Sequence, residues 1–457
     1  MINNKLITFT LIILAMLVVF RVGLPPGDEG NISPTLIIGF MLLSSFVVGF
    51  FFERSGFPRI TGYIISGLVF GPFILKFYTM GSVKELFFLN SLALAFIAFN
   101  AGSELRLKDI VNDKKPIFFL TFGVTIVVFS GITMIILLIS DFIPFMRPFP
   151  FPAKIAIASI FGIISVARSP SSAIAIINET GAKGRYTNTI LSITVIMDVL
   201  IIILFALVIS VSSLIMEPGS SFEFSFFYFL VLEIVIAFVL GFFLGKFIIF
   251  LLNKVKVEFS VVIIALGFFV IKFTHFAGTF ISRNYEMNLN IEPLLICMAA
   301  GFTVQNFSKY GDIFLKRMDK ISIPVYVAFF TITGASINLD ILRTGWILGL
   351  IIFISRIIMI YIGSFISTKA AAAEKKIQDN SWLGFITQAG ISLGLLSEVL
   401  RRFPETGIHI QAILIATITL NQIVGPIGFK YGLFRAGETF LSRKEKNKDE
   451  RPYKDLT

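Results

Sequence analysis

The chain has 457 residues, 56% of them hydrophobic and only 15% charged, with a mean hydropathy of +0.89. A soluble domain carries about 25% charged residues, so the composition excludes a water-soluble globular enzyme and indicates a protein that crosses the bilayer repeatedly. The net charge of +11 would suit nucleic acid, but it is gathered in alternate loops, as topology requires; the expected partner is the lipid bilayer, with no nucleic acid.

At about 20 apolar residues per crossing, fourteen candidate segments follow one another with short loops, from Leu6–Phe20 to Ile410–Phe434. The expected fold is all-α and polytopic, with about 13–14 transmembrane helices, a membrane domain over residues 1–436 and a basic, disordered cytoplasmic tail over 437–457. Lys5 followed by Leu6–Phe20 also fits a secretory signal. Arg21 to Asp28 lacks a clear small-residue cleavage pattern, so the stretch is read as a helix. Basic residues mark one side: Arg54 and Arg59, Arg106 to Lys115, Lys183 and Arg185, Lys254 and Lys256, Lys309 to Lys320, Lys369 to Lys376, and the tail. Pro25–Ser33 and Met216–Glu223 carry no Lys or Arg. By the positive-inside rule both termini face the cytoplasm of a cell membrane, expected to be a bacterial inner membrane.

Gly67 with Gly71, and Gly241 with Gly245, have the spacing of close helix packing. Asn100 and Glu104, four apart on the fourth segment, share a helix face and either line the core or pack helices. The sixth segment, Ala153–Ile177, reads Ala-Arg-Ser-Pro-Ser-Ser-Ala at its centre. Pro170 lacks an amide hydrogen and its ring clashes with the carbonyl of Val166, which predicts a kink or break. Ser169, Ser171 and Ser172 are placed to satisfy the freed backbone groups. The seventh segment, Ile190–Val211, has 22 residues and one charge, Asp198. A carboxylate in hydrocarbon costs from about 3 to over 10 kcal/mol, so a bundle interior or a wet path is its expected setting. The lone Cys297 lies in an apolar run and excludes an intrachain disulfide framework.

Arg356 is the only charge in Trp346–Ser367. It either pairs with Asp198 or is structural, bonded to Glu104 or to broken-helix carbonyls. Arg168, inside the first break, bridges Asp198, caps a half-helix or snorkels to the surface. The thirteenth segment, Trp382–Leu400, is polar and glycine-rich from Thr387 to Gly394, which predicts a second interruption. The two interrupted segments are an odd number of crossings apart and so run oppositely, as inverted repeats require; segments 5–7 and 12–14 are the paired triplets. Such crossed half-helices gather partial charges of both signs around one point, a setting for an ion. Asn421 and Gln422 on the last segment are core candidates. Glu233, Lys272 and His275 fall off this core. Gly390-Ile391-Ser392-Leu393-Gly394 matches a hydrolase nucleophile elbow, but it sits in a membrane span and the two histidines, His275 and His409, lie elsewhere. No enzyme activity and no cofactor are expected.

From about Arg59 to Pro426 the chain resembles the monovalent cation/proton antiporter superfamily, in particular bacterial sodium/proton exchangers and potassium-efflux antiporters. The resemblance rests on motifs in order: Gly62 to Gly67 with Gly71-Pro72, Ala95 to Leu105, the Ser/Pro break, the carboxylate helix, Phe329 to Gly334, the central basic residue, and Gln388-Ala389-Gly390. It implies two crossed discontinuous helices, a homodimer, and a carrier that exchanges Na⁺ or K⁺ for H⁺ by alternating access. Asp198, Ser169, Ser171, Ser172 and Gln388 are the expected ion and proton ligands. Arg356 and Arg168 compensate charge, and Asn100, Glu104, Pro170, Gly390 and Asn421 support the site. Two departures stand out: Met197 precedes Asp198 where relatives carry Asp, Asn or Gln, and Arg168-Ser169-Pro170 replaces Thr-Asp-Pro or Ser-Ser-Thr. They leave room for an organic-anion carrier on the same scaffold, or for a sensor or scaffold protein that no longer transports.

Overall fold

The computed structural model describes residues 34–216, 224–254, 259–285, 291–388, 391–440 and 442. The first candidate segment, Leu6–Phe20, Gly390 and the tail beyond 442 lie outside the described residues. Within them every regular element is a helix, which is what hydrocarbon demands, since only a helix or a closed barrel satisfies its own backbone there.

In chain order the helices are α1 (Pro34–Arg54), α2 (Arg59–Phe70), α3 (Met80–Glu85), α4 (Phe87–Glu104), α5 (Leu107–Asn112), α6 (Lys114–Leu138), α7 (Phe151–Val166), α8 (Pro170–Thr180) and α9 (Arg185–Met216). They continue with α10 (Phe224–Lys254), α11 (Phe259–Tyr285), α12 (Pro293–Asn306), α13 (Gly311–Ala335), α14 (Leu339–Ala370), α15 (Lys375–Gly384), α16 (Ile391–Arg402) and α17 (Pro404–Arg435). Eight helical stretches, α7 with α8 counted as one, are long and apolar enough to cross a membrane. Proline opens α8, α12 and α17, where its missing amide hydrogen costs nothing.

The helices sort into two bundles. In the first, α6 packs on α7 and α14, α9 on α7 and α6, and α17 on α14, α15 and α16. These are the two expected triplets, α6–α9 and α14–α17, packed against each other. In the second bundle α12 lies between α4 and α10, while α13 packs on α1, α2 and α4. The bundles meet where α8 touches α2, α4 and α13, where α17 touches α2, and where α9 touches α10.

Glycines allow the close approaches in the second bundle. A Cβ on Gly241 would stand 2.5 Å from that of Ala299, and one on Gly245 would stand 2.5 Å from that of Thr303, so α10 rides directly on α12. Gly67 presses on the Thr331 carbonyl of α13, whereas a Cβ on Gly71 would meet the Gly67 carbonyl of its own helix at 2.4 Å and the Cα of Ala335, the last residue of α13, at 3.4 Å. Outward faces carry exposed Phe118, Phe122, Phe243, Phe269 and Phe276, as expected where the surrounding solvent is lipid.

Glu438, which the sequence assigns to the tail, is instead buried in the bundle. Its carboxylate accepts from the Tyr186 and Thr187 amides at 2.9 and 2.8 Å and from the Thr187 hydroxyl at 2.6 Å. An anion on the first turn of a helix compensates its partial positive charge, and the helix concerned is α9, which bears Asp198.

Candidate ion and proton site

The first interruption is three residues long. Helix α7 ends at Val166, Ala167 turns to an extended ψ of 147°, and Ser169 caps α8 with its hydroxyl accepting from the Ser172 amide at 3.2 Å. Pro170 is the first residue of α8, so it starts a new half-helix and does not kink a continuous one. Ser169 Oγ also lies 3.0 Å from Ser171 Oγ and 2.9 Å from Ser172 Oγ. The three serines form one buried cluster on the N-terminal end of α8. The second interruption follows α15: its last helical residue is Gly384, Phe385 to Gln388 are non-helical, and α16 resumes at Ile391.

Arg356, on α14, ties the two interruptions together. Its Nε donates to Ser165 O at 2.6 Å in the last turn of α7 and its Nη2 to Ala167 O at 3.0 Å in the first break. Its Nη1 donates to Ile386 O at 2.7 Å in the second break and to Asn421 Oδ1 at 3.0 Å on α17. The amide of Asn421 donates to Gln388 Oε1 at 2.9 Å, and Gln388 Nε2 reaches back to Ile164 O at 2.9 Å. A helix leaves its last carbonyls unpaired; here the forked guanidinium and the Gln388 amide take carbonyls at the end of α7 and in the stretch that follows α15. Of the alternatives open for Arg356 in sequence, the structure realises the broken-helix carbonyls.

Asp198 lies in the body of α9 and is 6% exposed. Its Oδ1 is buried and has no hydrogen-bond partner among the described residues. Arg168 is 1% exposed, and none of its three nitrogens donates to an acceptor among the described residues. The guanidinium lies over the Phe385 ring, 3.9 Å from its centroid. A desolvated contact of that kind contributes about 2 kcal/mol, comparable to one hydrogen bond to a charged group. Arg168 is within electrostatic reach of both Asp198 and Arg356, yet no ion pair joins it to Asp198 among the described residues. Thr387 Oγ1 and Ser392 Oγ, at the second interruption, are also buried without partners among the described residues.

The remaining expected residues lie elsewhere. Asn100 is fully buried on α4 and donates to Tyr326 Oη at 3.3 Å, and Glu104, half-buried at the end of that helix, is within electrostatic reach of Asp319, Arg106 and Lys183. Gln388 is engaged at both ends with the interruptions. Two acidic residues escape a reading by hydropathy. Glu292 is exposed at the N-terminus of the 14-residue α12 and within electrostatic reach of Asp198. Glu179, at the end of α8, accepts from Lys430 Nζ at 3.0 Å and from the Arg59 amide at 2.8 Å. A short helix beginning with Glu-Pro is the signal for the first; a charge at a segment end carries no signal for the second.

Two interrupted helices packed in inverted triplets, with a buried carboxylate beside them, define a membrane transporter of the crossed-helix class. The chain belongs to the sodium/hydrogen exchanger family, whose transmembrane model matches residues 42–434. Its fold is similar to that of the sodium proton antiporter MjNhaP1 from Methanocaldococcus jannaschii. The structure of that protein at pH 8 superposes with a TM-score of 0.63 at 16% identity, covering 90% of this chain and 98% of that one. An electron-microscopy map of the same antiporter gives 0.67 at 18% identity, covering 89% and 96%. No curated protein matches the chain by sequence.

Proposed function

We propose that the protein is a secondary transporter that exchanges Na⁺ or K⁺ for H⁺, with Asp198 as the group that holds one or the other. The observation that carries this reading is the partnerless, buried Asp198 oxygen beside two crossed helix breaks in a family of sodium/hydrogen exchangers. A carboxylate so placed costs several kcal/mol unless a cation or proton neutralises it. One carboxylate takes one monovalent charge at a time, so the cycle is one-for-one and electroneutral. If net charge moved, each elementary charge would couple to about 2.3 kcal/mol per 100 mV, and turnover in vesicles would follow an imposed voltage.

Alternating access is supported by an asymmetry in the bonds between the bundles. Lys430 on α17 donates to Phe57 O at 2.9 Å, Glu179 on α8 accepts the Arg59 amide, and Asn178 donates to Tyr326 Oη and to Asp319 Oδ1, each at 3.4 Å. All lie at the basic end, the cytoplasmic one by the positive-inside rule. The arrangement is that of a carrier closed to the cytoplasm. Both termini then face the cytoplasm of a cell membrane, and a homodimer is the expected assembly.

The test is reconstitution with a pH-sensitive dye and successive additions of Li⁺, Na⁺, K⁺ and Rb⁺. Cation-dependent proton release is expected from the wild type and its loss from Asp198→Asn; release that survives the substitution removes Asp198 from the cycle. A second reading, an organic-anion carrier, is favoured by one observation: Arg168 has three nitrogens that no acceptor takes among the described residues, and a guanidinium fork suits a carboxylate. Radiolabelled uptake of small carboxylates with no cation-coupled proton flux would select it.

A further inference from the structure

Resting on the exchange reading, we propose that Arg168 is a resident cation that competes with the transported one for Asp198, and that the Phe385 ring is the place where it is held when cargo occupies the site. Two buried guanidiniums share this interior, and they differ in how they are held. Arg356 is fixed by acceptors on both breaks and on α17. Arg168 has no acceptor among the described residues, lies on a ring face 3.9 Å away, and stands on the non-helical stretch between α7 and α8. A guanidinium held by a ring alone gives up no hydrogen bond when it leaves. The carboxylate within its electrostatic reach has a free Oδ1. The charged groups acting on Asp198 are Arg168 and Glu292; those acting on Arg168 are Asp198 and Arg356. Arg356 repels Arg168 from the side of the breaks, so among the described residues the one opposite charge acting on it is Asp198.

The consequence for transport is a threshold. A cation or a proton arriving at Asp198 must displace Arg168 and then share the interior with its charge. That opposes both ions to a similar degree, because Coulomb repulsion depends on charge and distance. For unit charges about 6–10 Å apart at an effective dielectric constant near 20, the opposition corresponds to roughly ten- to hundred-fold in affinity. The carrier is thereby set for a high cation concentration, and the proton and cation remain matched competitors.

The experiment measures the half-saturating Na⁺ and K⁺ concentrations of proton release in proteoliposomes at alkaline and at acid pH, for wild type, Arg168→Gln, Arg168→Lys and Phe385→Leu. With the charge removed, Arg168→Gln is expected to lower the half-saturating concentration at alkaline pH by roughly ten- to hundred-fold. At acid pH the gain disappears, because the proton, bound tighter by the same factor, competes it away. Arg168→Lys keeps the charge and stays near wild type. Phe385→Leu keeps both charges but removes the ring, and is expected to raise the half-saturating concentration. An unchanged value in Arg168→Gln, or the same drop at both pH values, overturns the proposal. If Arg168→Gln does not fold, Phe385→Leu decides, and a value equal to wild type overturns it. A wild type with no cation-coupled flux at any pH rejects the exchange reading itself, whereas wild-type flux with indifferent variants rejects only the role of Arg168.

Discussion

Replacing Arg356 by Met removes the donor from four close buried acceptors, the carbonyls of Ser165, Ala167 and Ile386 and the Asn421 side-chain oxygen, now at 2.6–3.0 Å, and from the Phe385 carbonyl at 3.4 Å. A stranded buried acceptor costs about 1–3 kcal/mol, so four together come to roughly 4–12 kcal/mol. That is comparable to the whole stability of a folded domain, about 5–15 kcal/mol. Arg168→Met is the internal control, since it removes an equally buried guanidinium with no hydrogen bonds among the described residues. Its loss is the ring contact, about 0.5–2 kcal/mol, offset by relief from burying an unpaired charge. Heating the detergent-solubilised proteins and following the monodisperse peak by size-exclusion chromatography reads both. Arg356→Met is expected to leave no stable peak. Arg356→Lys is expected to melt several degrees below wild type, because an ammonium cannot span both breaks as the fork does. Arg168→Met should melt close to wild type or above it. Equal melting of the two Met variants would refute the reasoning, because it would mean that hydrogen bonding does not distinguish the arginines.

Glu438→Gln weakens the anionic cap on α9, and hydrogen bonds to a charged group contribute about 1.5–3 kcal/mol; a lower melting temperature is expected, and truncation after Ala436 should reproduce it. Lys430→Met removes the bonds to Phe57 O and Glu179, so amide exchange measured by mass spectrometry should quicken at 57–62 and 176–180 while α12 stays unchanged. Glu292→Gln takes away a negative charge near Asp198 from the end of the bundle opposite the basic loops. In vesicles of known orientation, the half-saturating Na⁺ concentration should rise on that side only, and an equal rise on both sides would show a general structural effect.

The backbone of the site was more legible than its partnerships. Ser-Pro-Ser-Ser and the run from Thr387 to Gly394 announce interruptions because proline and glycine act on their own few residues, and parity of the crossings relates the two. Which atoms fill the interruptions is a matter of depth and rotation, which hydropathy does not encode. Arg356 and Asp198, lone charges of opposite sign near the centres of their segments, left both a pair and a structural arginine open; the guanidinium is bonded to carbonyls at the two interruptions. Gln388 has the chemistry of an ion ligand, but both ends of its amide are bonded within the crossing. Glu438 falls in the stretch that the sequence assigns to the tail, and only the tertiary arrangement brings it to the first turn of α9.

The use of Arg356 bears on how a carrier can release its cargo without losing its site. Broken helices strand carbonyls at the C-terminal ends of α7 and α15, and those ends attract any cation. If the transported ion had to satisfy them, every release would leave several buried acceptors unpaired and the crossing would loosen. A permanently charged side chain fixed on both ends removes that demand, since a guanidinium does not lose its proton in proteins. The crossing is therefore complete whether or not an ion is bound, and Asp198 alone is left to sense the exchange of proton and cation. On this argument, bound Na⁺ should raise the melting temperature of the wild type but not of Asp198→Asn, and the Asn variant should itself be no less stable than the ion-free wild type. An Asn variant that melts well below the ion-free protein would mean that Asp198 also holds the crossing together.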